Sequence, residues 1–338
     1  MNRGYCWGTG DHKVSTLCRD SIRCCRNRFV GAQLYRLIGA RSRNEFASLC
    51  DRLDRPHHYV VPSGAAVEAV HQTNPKWLRL LDEGNQLQAD CLNRLCSVFP
   101  EILAVINDPL WKILSWDSDD SEAPATYLEQ LRPHCRALAS STYRCRINAG
   151  MIGALGVPDW THLAMPLALL RCSTRRAPQR RWLQEHFSYY LTLASLSPTY
   201  HHCFPDLWAL LDQWLRTGGL GTDLTRIKWP ASAGSFEYQQ AVLQVAREQL
   251  MDCGWLPPGD QPSPLDVAML WCIHMGGPLL VEKLMLSLSR GVRRCPKLLR
   301  QQMRALDPRL DVAILPRRAS QSINLAPAPM AGLGSRID

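Results

Sequence analysis

The sequence lacks any apolar run long enough to cross a bilayer. The longest, Val267 to Val281, is interrupted by Gly276-Gly277-Pro278, whereas a membrane-spanning helix needs about 18 unbroken apolar residues. We therefore expect no association with a membrane. We interpret this segment as the end of one buried helix, a turn and the start of another.

The N-terminal residues also lack the apolar segment of a secretory signal, although the chain contains 14 cysteines. Disulfide frameworks are typical of short secreted chains, which this is not. We expect free, mostly buried thiols and a cytoplasmic location, because cysteine behaves as a small apolar residue in a reducing compartment.

Motifs for cofactor binding and catalysis are missing as well. The glycine-rich segment Gly218-Gly219-Leu220-Gly221 has neither the spacing of a phosphate-binding loop nor that of a dinucleotide-binding fingerprint. The local signatures of serine and cysteine nucleophiles are absent too. The sequence therefore predicts no cofactor; it leaves enzymatic activity open and favours its absence.

Helical spacing is abundant by comparison. Apolar residues recur three or four apart, and the alternation typical of β-strands is nowhere sustained. Three segments open with a proline followed by a tryptophan, at Pro75, Pro109 and Pro205, and proline is favoured at the first position of a helix. The pattern predicts an all-α protein built as one or more multi-helix bundles.

Further helices are predicted in the second half of the chain. Asp159 is the expected cap of one of them, over 159–170, and Pro166 is expected to kink or end that helix. Other expected bounds include 180–196, 236–253, 264–275 and 297–306. The helix over 236–253 has the spacing of an amphipathic helix.

Composition predicts two helical domains between poorly ordered ends. Residues 1–28 are basic, rich in cysteine and without periodicity, and residues 316–338 are rich in proline, alanine and serine, so we expect neither to pack. Residues 117–126 are acidic and contain proline, which is typical of a linker. The predicted domains are therefore 29–116 and 127–315.

Basic residues cluster in a chain whose net charge is +9. A basic segment can bind phosphates or an acidic partner, but arginine also forms ordinary solvated surface. The spacing 290/293/297/300/304 places five cations on one helical face if the helix continues through Pro296. The candidate residues for binding nucleic acid or a protein partner are Arg175, Arg176, Arg180, Arg290, Arg293, Arg294, Lys297, Arg300 and Arg304.

Arg181 and His186 are candidate catalytic residues. Their spacing is similar to that of the arginine and histidine used by all-helical ribonucleases of the HEPN type. There the arginine would stabilise phosphate charge and the histidine would handle the proton of the attacking 2′-hydroxyl. About one such pair is expected by chance among this many arginines, and Trp182 and Leu183 replace the polar residue usual in such motifs.

For metal binding, the candidate residues are His201, His202 and Cys203, which could converge in a loop. No pair of cysteines and histidines matches the spacing of a zinc finger or ribbon. The sequence therefore predicts no metal site, and this triplet is the place where one would lie.

Tryptophan is frequent, at 11 residues against 6 phenylalanines. Tryptophan and arginine dominate the energetically important residues of protein interfaces. The leading interpretation is a non-enzymatic helical protein that binds protein partners, as an adaptor or a subunit of a larger assembly. A nucleic-acid-binding accessory protein and a HEPN-like ribonuclease are the alternatives.

Overall fold

A computed structural model describes most of the central part of the chain. The described residues are 19–54, 75–116, 126–127, 157–171, 177–216, 227–259, 261–275, 295 and 297–306. Within these ranges every regular element is a helix, which confirms the all-α fold class. The segments 1–18, 117–125 and 316–338 lie outside the described residues.

Twelve α-helices are described. The first six are α1 (Arg19–Ile38), α2 (Arg43–Asp54), α3 (Pro75–Glu83), α4 (Ala89–Val98), α5 (Glu101–Ile106) and α6 (Pro109–Leu114). The next six are α7 (Ala164–Arg171), α8 (Ala177–Ala194), α9 (Phe204–Arg216), α10 (Ala233–Asp252), α11 (Pro264–Met275) and α12 (Lys297–Leu306). Short 3₁₀ turns at Trp160–His162 and His201–Cys203 precede α7 and α9.

Helix α1 begins earlier than the sequence predicted. Residues 19–28, expected in the poorly ordered leader, form its first half. Ile22, Cys25 and Phe29 are spaced three and four apart and are all buried, so the core-facing stripe already starts at Ile22. The interspersed arginines obscure this stripe in the sequence.

Pro166 neither kinks nor ends its helix, contrary to expectation. Helix α7 begins at Ala164, so Pro166 lies in the first turn, where its missing N–H has no intrahelical acceptor to lose. Asp159 caps the preceding 3₁₀ turn, and its carboxylate accepts a hydrogen bond from the backbone N–H of Trp160 at 2.7 Å. The predicted cap is therefore confirmed, although it begins a separate element.

Helix α1 packs against α3 and α5. Asn27 and Arg28 donate hydrogen bonds to the carbonyls of Gly84 and Leu81, at the C-terminal end of α3. Gly84 follows α3 with a φ of +67°, and its N–H donates to the carbonyl of Leu80. The two helix backbones approach so closely here that a Cβ atom at Gly84 would lie 2.0 Å from the Cys24 carbonyl oxygen.

Helices from both sides of segment 117–126 share one hydrophobic cluster. The buried ring of Phe29 contacts four aromatic rings, those of Trp111, Trp160, Tyr200 and Phe204. The Tyr200 hydroxyl also donates to Gln33 Oε1 at 2.7 Å. The division into two domains stays a prediction, and the structure adds that the two parts are in direct contact.

In the second half, α8 packs against α7, α10 and α11, and α11 packs against α12. Helix α10 also contacts α9 and α11, so three helices pack against its inner side. No helix in the described part of the chain is both long enough and apolar enough to cross a membrane.

Candidate interaction surface on helix α10

Helix α10 is fixed in place by one buried face. Ser232 caps its N-terminus, with the side-chain oxygen accepting from the N–H of Ser235. The core-facing residues are Phe236, Gln240, Leu243, Arg247 and Leu250, spaced three and four apart along about four turns. Two of the five are polar, and both are satisfied: Gln240 donates to Ser195 Oγ at 2.6 Å, and Arg247 binds Asp266.

The buried ion pair of Arg247 and Asp266 is the main polar anchor of α10. Both side chains are 2% exposed, and the Arg247 Nε lies 2.5 Å from the carboxylate. The same guanidinium donates to the carbonyls of Gly259 and Gln261. Arg247 therefore ties α10 both to α11 and to the loop between them.

The opposite side of α10 carries a row of exposed apolar residues. Tyr238 is 70% exposed, Val242 46% and Val245 51%; we call these three residues the outer stripe. Their spacing of four and three residues places them on one helical face. Because successive residues are rotated by about 100°, the outer stripe lies on the far side of the helix from the core.

Scattered exposed apolar residues are normal on a protein surface, but contiguous ones are not. Only five large apolar residues are exposed in the described ranges, and three of them form the outer stripe. The other two, Val98 and Leu103, lie at α4 and α5. The outer stripe is therefore the main concentration of exposed apolar surface in the described structure.

Acidic residues border the outer stripe. Glu237, Glu248 and Asp252 are exposed, whereas Arg247, the single basic residue of α10, points into the core. On a helical projection the three acids fall on the same flank of the stripe, within an arc of about 60°. The exposed surface of α10 is thus apolar in its centre and negative along one side.

A groove of about 720 Å³ runs along that same flank. Helix α10 contributes Glu237, Gln240, Ala241 and Gln244 to one wall. The remaining lining residues are Leu196, Pro198, His201, His202, Pro205, Gln261 and Pro262. Ala241 belongs to the groove and is also exposed next to the outer stripe, so the two form a continuous surface.

The candidate metal-binding triplet lies at this groove but does not form a ligand set. His201 and His202 are exposed and line the groove, while Cys203 is buried in the core below them. His201 Nδ1 is 3.1 Å from the Ser195 carbonyl. Among the described residues, no group of three or more His, Cys, Asp or Glu side chains could hold a metal ion.

The candidate catalytic residues lie on different faces of α8. Arg181 is exposed, and a separation of five residues turns it about 140° away from His186 around the helix axis. His186 faces α11, where its Nδ1 lies 3.2 Å from His274 Nε2. Ribonuclease activity stays a prediction. The histidine that it would use, His186, contacts His274, a residue 88 positions away in the sequence.

Aromatic rings surround the two histidines. The His274 ring stacks on Tyr189 with 3.7 Å between centroids, and the His186 ring lies 4.8 Å from Trp182. Burial, the neighbouring imidazole of His186 and the Lys228 ammonium together lower the pKa of His274 to about 4. Burial likewise lowers the pKa of His186, so the pair is uncharged at neutral pH.

We expect this pair to make the protein sensitive to mild acid. Below pH 6.5 the unfolded chain takes up a proton that folded His274 resists until about pH 4, so stability falls as the pH drops through that window. His274→Phe keeps the stacked ring but does not titrate. As the pH falls from 7 to 4.5, the unfolding free energy of the variant should therefore rise by about 1–2 kcal/mol relative to that of the wild type.

Urea titrations of both proteins at several pH values would measure this difference. The comparison with the variant is needed because burial raises the pKa of Asp108 to about 7. Protonation of this carboxyl stabilises the folded state as the pH falls, which opposes the effect of His274 in the same pH range. Lys228 and Glu185, which also face the pair, are present in both proteins. A constant difference between wild type and variant across this pH range would contradict the prediction.

The predicted basic stripe is not one continuous helical face. Helix α12 begins at Lys297 and Cys295 is not helical, so the helix does not continue through from residue 290. Lys297 and Arg304 are exposed and Arg300 is half-buried, whereas Leu299 and Met303 are buried. Arg180 is half-buried in α8. The other candidates, Arg175, Arg176, Arg290, Arg293 and Arg294, lie outside the described residues.

Comparison with known proteins adds nothing to this geometry, because no family model, curated protein or solved structure matches the chain.

The outer stripe of α10 was not among the candidate residues predicted from the sequence. The signal that could have revealed it is the second set of apolar residues in α10, offset by two positions from the first.

Proposed function

We propose that this chain works by binding another protein through the outer stripe of α10. The observation that carries the proposal is that Tyr238, Val242 and Val245 are exposed together on one face of a helix whose opposite face is fully packed. Anchor residues at this spacing are the usual contacts when one helix binds along another or in a groove. An adaptor or a subunit of a larger assembly would work in this way.

The outer stripe alone would support only a weak complex. Fully burying a large apolar side chain contributes about 1.5–3 kcal/mol, so three partly exposed ones supply roughly 3–4 kcal/mol. This corresponds to a dissociation constant of about 1 mM. A stable complex therefore needs further contacts, and the groove that continues from the stripe over Ala241 offers them.

Nucleic-acid binding through α12 is less well supported. Its described part presents two exposed cations, Lys297 and Arg304, whereas proteins that bind nucleic acid through phosphates commonly make about 6–10 such contacts.

Site-specific photo-crosslinking tests the proposal directly. With the photoreactive residue p-benzoylphenylalanine in place of Val242, irradiation of the producing cells should give a discrete crosslinked species. The same residue at Lys112, an exposed position of α6, serves as the matched control and should not give it. Tyrosine at position 238 remains in both proteins.

The crosslink supports the proposal only if it depends on the stripe. Adding Val245→Glu places a charge among the anchors without altering the core face, and should abolish the species formed at position 242. No crosslink at position 242, or the same products at 242 and 112, would show that the stripe is not a protein-binding surface.

A further inference from the structure

The sign of the charge on α10 is opposite to that of the whole chain. The chain carries a net charge of +9, yet every exposed charged residue of α10 is acidic: Glu237, Glu248 and Asp252. Glu237 and Glu248 are separated by eleven residues, about 16 Å along the helix axis. A local negative edge therefore runs beside the outer stripe for three turns.

These acids are not neutralised by cations of the same helix. Arg247 lies between them in the sequence, but its side chain is buried and bound to Asp266. Glu248 accepts a hydrogen bond from Gln244 at 3.0 Å, which is an uncharged donor. The carboxylates therefore present their charge outwards, next to the apolar anchors.

Charge argues against a second copy of α10 as the occupant of this surface. In a symmetric pair each helix would add the same three acids and no exposed base, and like charges brought together in an interface disfavour the complex. A partner bearing cations along one flank of its own apolar stripe would instead meet the acids with opposite charge.

We propose that the occupant of the α10 surface is an amphipathic helix of another protein, with an apolar stripe bordered on one flank by lysine or arginine. This inference rests on the proposed function and adds the chemistry of the partner. The partner's apolar residues contact the outer stripe, and its basic residues lie over Glu237 and Glu248, towards the groove.

Two synthetic helical peptides test this inference. Each has about 20 residues, because isolated helices of this length are stable enough to use. Both carry leucines at i, i+4 and i+7 spacing; one has lysines along one flank and the other has glutamates there. Fluorescence anisotropy with the full chain should give at least tenfold tighter binding of the lysine peptide. A chain of net charge +9 would attract the glutamate peptide non-specifically, so the opposite preference must arise locally.

Charge-reversal variants locate the interaction. Glu237→Lys together with Glu248→Lys should abolish or reverse the preference. The matched control, Glu83→Lys with Glu101→Lys, makes the same change in net charge at exposed residues of the other half and should leave it intact. Val242→Ser with Val245→Ser should weaken binding of the lysine peptide without changing any charge.

Other outcomes overturn the inference in distinguishable ways. Equal binding of both peptides, lost in the double serine variant, would refute the basic partner and leave the proposed function standing. No binding of either peptide would also refute the basic helix, while the crosslink at position 242 decides the proposed function independently. If sedimentation velocity shows a dimer of the wild-type chain that the double serine variant does not form, a second copy of the chain is the occupant.

Discussion

Gly84→Ala is expected to destabilise the protein by more than about 4 kcal/mol, enough to unfold many domains. The added Cβ would lie 2.0 Å from the Cys24 carbonyl oxygen and 2.7 Å from its carbon. These are backbone atoms of α1, so no side-chain rotation relieves the clash. Helices α1 and α3 would have to separate, and the hydrogen bonds from Asn27 and Arg28 would be lost with them.

Gly39→Ala is the matched control. Gly39 has nearly the same backbone conformation, with a φ of +68° against +67° at Gly84, but nothing lies within 4 Å of an added Cβ. Only the left-handed conformation is penalised there, at about 1–2 kcal/mol. Urea unfolding followed by circular dichroism would measure both variants, and equal losses at the two positions would refute the close approach of α1 and α3.

Arg247→Met is the substitution with the next largest expected effect, a loss of about 3–5 kcal/mol. It leaves Asp266 charged and 2% exposed without its partner, and an unpaired buried charge is far more costly than a missing ion pair. It also removes the donors to the carbonyls of Gly259 and Gln261. The loop beside the groove should therefore loosen together with α10.

Two further variants separate these effects. Arg216→Ala breaks an exposed ion pair with Asp212 and should cost less than about 1 kcal/mol. Arg247→Met combined with Asp266→Leu removes both charges and should recover part of the stability lost in the single variant. If the double variant is as unstable as the sum of its single variants, the buried charge is not the origin of the loss.

Local sequence rules predicted most helices because those rules act over a few residues. Pro75 and Pro109 begin α3 and α6 as expected, and the predicted helices over 264–275 and 297–306 coincide with α11 and α12. Proline at the first turn and regular apolar spacing are signals that do not depend on how helices are arranged. This is why the starts or bounds of these four helices could be predicted from the residues.

Pairings between distant helices could not be read in this way. His186 and His274 are 88 residues apart in the sequence, and only the packing of α8 against α11 brings them together. Likewise, α10 was expected to be amphipathic with one apolar face, but its apolar residues occupy two opposite faces. The neighbours α8, α9 and α11 determine which face is buried, and residue spacing contains no information about them.

The contact between Gln33 and Tyr200 also has a consequence for synthesis. These residues are separated by 167 positions, and ribosomes add roughly 5–20 residues per second. Helix α1 is therefore made about 8–30 seconds before the rings of Tyr200 and Phe204 exist to cover Phe29. During that interval Phe29 lacks at least two of its four aromatic neighbours, so we expect the nascent chain to expose apolar surface to chaperones that bind near the ribosomal exit.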